Sequence, residues 1–113
     1  MLMWLMLALA ATGAPAHAQS FDCRKAQAAD EHAICATARL GAQDEIIATL
    51  YRRLWRYIEN HDAAMGVLAQ LKGEQRDFLR DRARCGANVA CLDHIQRRRI
   101  VELADWYRRG FGS

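Results

Sequence analysis

The stretch TARLGAQDEIIATLYRRLWRYIE, residues 37–59, decides the fold. Within it Leu40, Asp44, Ile47, Tyr51, Leu54 and Ile58 recur at steps of 4, 3, 4, 3 and 4, the spacing that brings a side chain back to one face of a 3.6-residue helix. Ile46, Leu50 and Trp55 widen this stripe, while Arg52, Arg53, Arg56 and Glu59 fall on the other side, as a solvated face requires. Thr37 stands where an N-cap belongs. A helix of about six turns with one apolar face is the seam of a bundle, so its partners must lie elsewhere in the chain.

Downstream, Asn60, His61 and Asp62 interrupt the pattern with turn and cap residues. A second stripe follows in Leu68, Leu71, Gln75, Phe78 and Arg82, thickened by Leu79, and Gly86 ends it. Gly66 and Gly73 cost that helix about 1 kcal/mol each relative to Ala. Asn88 caps a third helix whose inward stripe is Leu92, Ile95, Arg99 or Ile100, Leu103 and Trp106, with Gly110 as the expected stop. Upstream, a short helix is expected at residues 30–36. Connections of a few residues cannot carry the chain back along a helix of about 30 Å, so consecutive helices run antiparallel. The expected fold is all-α: a small antiparallel bundle of three long helices plus a short N-terminal helix, braced by two disulfides.

The chain opens on eleven apolar residues, long enough for the hydrophobic region of a signal peptide and short of the roughly 20 that span a bilayer. Pro15 and the small-x-small triplet Ala16, His17, Ala18 complete the pattern, so residues 1–18 read as a signal peptide and residues 19–113 as one helical domain. The product is expected in the periplasm or outside the cell, with no membrane insertion after signal removal. Ser20, Phe21 and Asp22 ahead of Cys23 lack the small apolar run that lipid attachment needs.

Four cysteines, Cys23, Cys35, Cys85 and Cys91, all follow that signal. An even number in an oxidising compartment points to two disulfides, with three connectivities open. Pairing near in sequence is the expectation: Cys23 with Cys35 closes a short loop, and Cys85 with Cys91 straddles the Gly86 turn, whereas cross-pairing needs four separated points to converge. The spacings match no C-x2-4-C zinc pair and no C-x-x-C redox pair, so no metal or cofactor is expected.

Three polar residues, Asp44, Gln75 and Arg82, interrupt otherwise apolar stripes, with Arg99 close to a fourth. A buried carboxylate without a partner would cost several kcal/mol, so Asp44 is expected to face Arg82 or Arg99 and to fix helix register. Catalytic groups are scarce. His32, His61 and His94 are scattered, paired cysteines cannot act as nucleophiles, and the neighbouring carboxylates Asp30 with Glu31 and Asp44 with Glu45 point to different sides of a helix. The chain therefore reads as a binding protein and not an enzyme.

Sixteen Lys and Arg against thirteen Asp and Glu give a net charge of +3, segregated so that residues 19–51 are acidic and residues 52–113 basic. Export places the run Arg97, Arg98, Arg99 away from nucleic acid.

The residues also follow a family pattern: F-x-C at Phe21 and Cys23, E-x-x-I-C at Glu31, Ile34 and Cys35, and L-x-x-x-D at Leu40 and Asp44. Tyr51 stands seven residues on, and the motif Q-x-x-W-L-x-x-R-x-x-C falls on Gln75, Phe78, Leu79, Arg82 and Cys85. Cys91 and Leu92, then Arg99, Ile100 and Leu103, close the pattern. Over about 80 residues the chain resembles the small secreted bacterial domain named after the lysozyme inhibitor LprI, departing from it at Phe78, where Trp is usual, and at Gln96, where an aromatic is common. The resemblance implies protein recognition in the cell envelope, with lysozyme as the partner. A non-inhibitory accessory module, binding cell-wall polymer or another periplasmic protein, is the alternative. Two surfaces suit an enzyme that is basic overall but acidic in its cleft: an acidic patch of Asp22, Asp30, Glu31 and Glu45, or the loop at 86–90 with Asn88, presenting Arg84.

Overall fold

The computed structural model describes residues 20–61 and 64–111, apart from the side chains of 64, 65 and 111. The expected signal peptide at 1–18 and Asp62 of the expected turn lie outside the described residues. A 3-10 turn at Cys23–Lys25 leads into α1 (Ala29–Ala36), α2 (Ala38–Asn60), α3 (Ala64–Arg84) and α4 (Val89–Phe111). The described residues form an all-α bundle with no strand, in which α2 packs most extensively on α4 and α1 lies across one end. No helix among them is long and apolar enough to cross a membrane.

The stripe of α2 is the seam that its spacing predicts: Leu40, Asp44, Ile47, Leu54 and Ile58 are buried and Tyr51 is half-buried. On α3, Leu71, Phe78 and Arg82 are buried, and on α4 Leu92, Gln96, Arg99 and Leu103 are. The stripes are narrower than expected. Ile46 is 46% exposed and Leu79 is 39% exposed, because each lies one residue off its seam, where no neighbouring helix covers it.

Local signals place the helix ends. Asn88 Oδ1 accepts a hydrogen bond from Cys91 N at 3.0 Å, which satisfies an otherwise unpaired donor in the first turn of α4. Gly86, at φ 56°, takes the left-handed conformation that lets the chain leave α3 and turn sharply. Thr37 occupies the N-cap position of α2, but its side chain makes no capping bond. Gly110 does not stop α4, which runs one residue further, to Phe111.

Two apolar clusters form the core. Ile34, Leu40 and Leu92 pack together at the α1 end, with Phe21, Cys23 and Cys85 against them. Ile47, Leu54, Ile58, Leu71, Phe78 and Leu103 fill the body of the bundle. Between them on α2 stand Gln43 and Asp44, and on α4 Gln96 and Arg99, so a polar layer divides the core. Cys23 is bonded to Cys35, tying the N-terminal turn to α1, and Cys85 to Cys91, bracing the α3–α4 turn.

Candidate functional site: a groove between α2 and α3

The polar layer begins with Arg82, whose side chain is 8% exposed. Its Nε donates to Asp30 Oδ2 at 2.9 Å and its Nη1 to Asp44 Oδ1 at 3.3 Å. Ser20 completes the Asp44 carboxylate, donating its backbone N–H to Oδ2 at 3.1 Å and its hydroxyl to Oδ1 at 2.7 Å. The expected contact of Asp44 with Arg82 is therefore present, and a second carboxylate shares the guanidinium. Asp30 is only 4% exposed, which removes it from the acidic surface patch that the sequence suggested. The physical reason is helical spacing: Asp30 lies four residues before the fully buried Ile34, so the inward face of α1 carries both. That spacing was the available signal for its burial; nothing local marked Ser20.

Arg99 goes elsewhere. Its Nε donates to Gln75 Oε1 at 3.0 Å and its Nη1 to Glu102 Oε2 at 3.1 Å, with Glu74 Oε2 3.6 Å away. Gln96, also buried, donates through Nε2 to Leu40 O and to Gln43 Oε1, each at 3.0 Å. Gln43 in turn donates to Asp93 Oδ1 at 2.8 Å, and that bond holds the Asp93 carboxyl below the usual carboxylate range; burial opposes it and Arg39 and Arg97 assist it. Sequence reasoning missed this Gln96–Gln43–Asp93 chain, because Gln43 stands one residue off the α2 stripe.

The remaining candidates do not converge. Glu31 Oε1 accepts from Ala28 N at 3.1 Å and closes the start of α1, Asn88 caps α4, Arg84 pairs with Asp81 at 3.6 Å, and Glu45 is exposed on α2. The histidines among the described residues sit on separate elements: His32 on α1, His94 on α4, and His61 after α2, where its Nδ1 lies 2.8 Å from Tyr57 O. Among the described residues no group of three or more His, Cys, Asp or Glu side chains is placed to hold a metal.

What the fold does create is a groove of about 980 Å³ between α2 and α3. The Ser20–Asp44–Arg82 cluster closes one end, and Glu59 stands toward the other. Ile47, Tyr51 and Phe78 provide the floor. Tyr51 meets Trp55 edge-on at 5.8 Å between ring centroids, and Lys72 Nζ lies 4.4 Å above the Trp55 ring, close enough for a cation–π contact. Burial pushes the Tyr51 phenol up from its ordinary value, partly opposed by the positive Arg99. Arg52, Arg56, Lys72 and Arg76 are exposed along the two walls. Sequence periodicity put Arg52 and Arg56 on a plain solvated face; the structure places them on the rim of a concavity.

A partly exposed Trp and Tyr among arginines, in a concave and largely apolar site, is the composition in which binding energy concentrates at protein interfaces. Compared with protein-family models, with curated proteins and with solved structures, the chain matches none.

Proposed function

We propose that the protein is an exported binding protein of the cell envelope that acts by protein–protein recognition and not by catalysis. The observation that carries this reading is the α2–α3 groove, where Tyr51 and Trp55 stand among four exposed cations. Two disulfides suit an oxidising compartment, the periplasm or the exterior, and the expected signal peptide supplies the route. The Cys85–Cys91 bridge also fixes the end of α3, one wall of the groove, to the start of α4. Resemblance to the LprI type names lysozyme as the partner and inhibition as the outcome.

The test is a bacterial lysis assay with the purified, oxidised protein against several lysozyme types. Inhibition near a 1:1 molar ratio is the expected result. No inhibition by a large excess removes lysozyme as the partner, and sedimentation with peptidoglycan sacculi in that case assigns the accessory role instead.

A further inference from the structure

The walls of the groove differ in one respect from the rest of the surface. Elsewhere the arginines are mostly matched: Arg24, Arg39, Arg80, Arg84, Arg97 and Arg98 each have a carboxylate within 4 Å. Arg52, Arg56, Lys72 and Arg76, all exposed and all lining the groove, have none among the described residues. Among the described residues the only carboxylates lining the groove are Asp44, already bound to Arg82, and Glu59. A low-dielectric concavity with uncompensated positive walls concentrates the field and selects negative charge. Its apolar floor selects, at the same time, a row of apolar side chains.

The dimensions set the shape of the occupant. Residues 44–59 of α2 extend the groove wall over about 22 Å and residues 69–82 of α3 over about 20 Å. Two antiparallel helices present a trough of that length into which a further helix lays its i, i+3, i+4, i+7 face. Here α4 packs against both α2 and α3, and the trough is the part of that helix pair that α4 leaves open.

On these observations we propose that the α2–α3 groove is the docking site for an amphipathic helix of a protein partner, about four turns long, with apolar residues on its buried face and Asp or Glu flanking them. The inference rests on the reading of this groove as the recognition site and names the chemistry of what enters it. Other occupants fit less well. Residues 1–19 contain no Asp or Glu to meet the walls, and a second copy of the chain docked groove to groove would bring the same cations against them.

Two fluorescently labelled 18-residue peptides test this by anisotropy titration against the oxidised protein. Both carry the same leucine stripe; the flanking positions are Glu in one and Lys in the other. The Glu peptide is expected to bind at least tenfold more tightly than the Lys peptide, and to weaken as salt is raised because exposed charges are screened. The variant Arg52→Glu/Arg56→Glu should lose at least tenfold affinity for the Glu peptide, and Lys72→Glu should lose affinity from the opposite wall. Arg53→Glu, the same charge change on the same helix but off the groove, should stay within twofold. These side chains are exposed and without ion pairs, so melting temperatures of the variants should remain within a few degrees of the parent.

Equal binding of the two peptides, no binding of either, or an Arg53→Glu loss as large as that of the double variant would overturn the proposal. Displacement of the peptide by soluble muropeptides would reassign the groove to cell-wall polymer, and displacement by dimerisation would reassign it to a second copy. Failure of the lysis assay with these peptide results intact would retire lysozyme and leave the groove's chemistry standing. Inhibition of lysozyme that survives Arg52→Glu/Arg56→Glu would retire the groove and leave the inhibitor.

Discussion

Replacing Arg82 by Met probes the buried ionic group that joins α1, α2 and α3. Arg82 is the only cation that contacts Asp30 and Asp44 among the described residues, and the side chains of those aspartates are 5% and 2% exposed. Met retains much of the volume but gives up the guanidinium contact with Phe21 and Phe78, whose rings lie 5.7 and 6.0 Å from the guanidinium carbon. What it removes is the charge that compensates two buried carboxylates, leaving Asp44 with the two Ser20 donors and Asp30 with no side-chain donor among the described residues. Breaking a buried pair from one side costs about 3–5 kcal/mol, a large share of the roughly 5–15 kcal/mol that stabilises a domain. For a domain of this size that corresponds to a fall in Tm of about 15–30 °C.

The assay is thermal unfolding of the oxidised protein followed by circular dichroism at 222 nm. A triple variant, Asp30→Leu/Asp44→Leu/Arg82→Met, separates charge from packing, because replacing the whole ionic group by apolar residues is expected to recover most of the loss. If Arg82→Met melts within about 5 °C of the parent, about 1 kcal/mol on that scale, the buried ionic layer does not hold the helices in register and the argument built on it fails.

Further expectations concern the covalent frame and the Gln43 network. The 13-residue loop closed by Cys23 and Cys35 should contribute about 3 kcal/mol and the 7-residue loop closed by Cys85 and Cys91 about 2 kcal/mol in the chain-entropy treatment, so urea titration of the two double Cys→Ala variants should rank them in that order. Because the Asp93 carboxyl is held below its ordinary value, its contribution to stability is present above about pH 4 and is lost as pH falls through the lower, folded-state value. Gln43→Leu removes the largest cause of that depression and should raise the Asp93 midpoint in a carboxyl NMR titration; an unchanged midpoint would show that Arg39 and Arg97, not Gln43, hold the carboxylate.

The buried ionic layer also bears on how the groove is positioned. Asp44 and Arg82 belong at once to the polar layer and to the closed end of the groove, so the contact that aligns α2 with α3 also sets the distance between the two rows of cations. A change in register of one turn would move Arg52 and Arg56 by about 5.4 Å relative to Lys72 and Arg76 and break the match to the partner helix proposed above. The shape of the groove and the register of the fold thus share residues here.

How much of this was legible in the residues differs from place to place, for physical reasons. Periodicity reports which face of a helix turns inward, and it placed Leu40, Ile47, Leu54, Ile58, Leu71, Phe78 and Leu103 in the core. Turn chemistry reports where helices stop, as at Gly86, and cysteine spacing favoured the two local bridges that the fold contains. A polar residue on an apolar stripe must find a partner, which made the contact of Asp44 with Arg82 foreseeable.

The sequence by itself thus determined the all-α class, the helix faces and the need for internal charge pairing, because each follows from interactions within a few residues or from the cost of burying a charge. Only the tertiary structure decided that Asp30 joins Arg82, that Gln43 reaches Asp93 through neither helix's main stripe, and that Ile46 and Leu79 stay in solvent. It also turned Arg52 and Arg56 from an ordinary wet face into one wall of a groove. The width of a buried arc and the curvature of a surface depend on where neighbouring helices arrive, and that is a property of the packed assembly that no single helix carries.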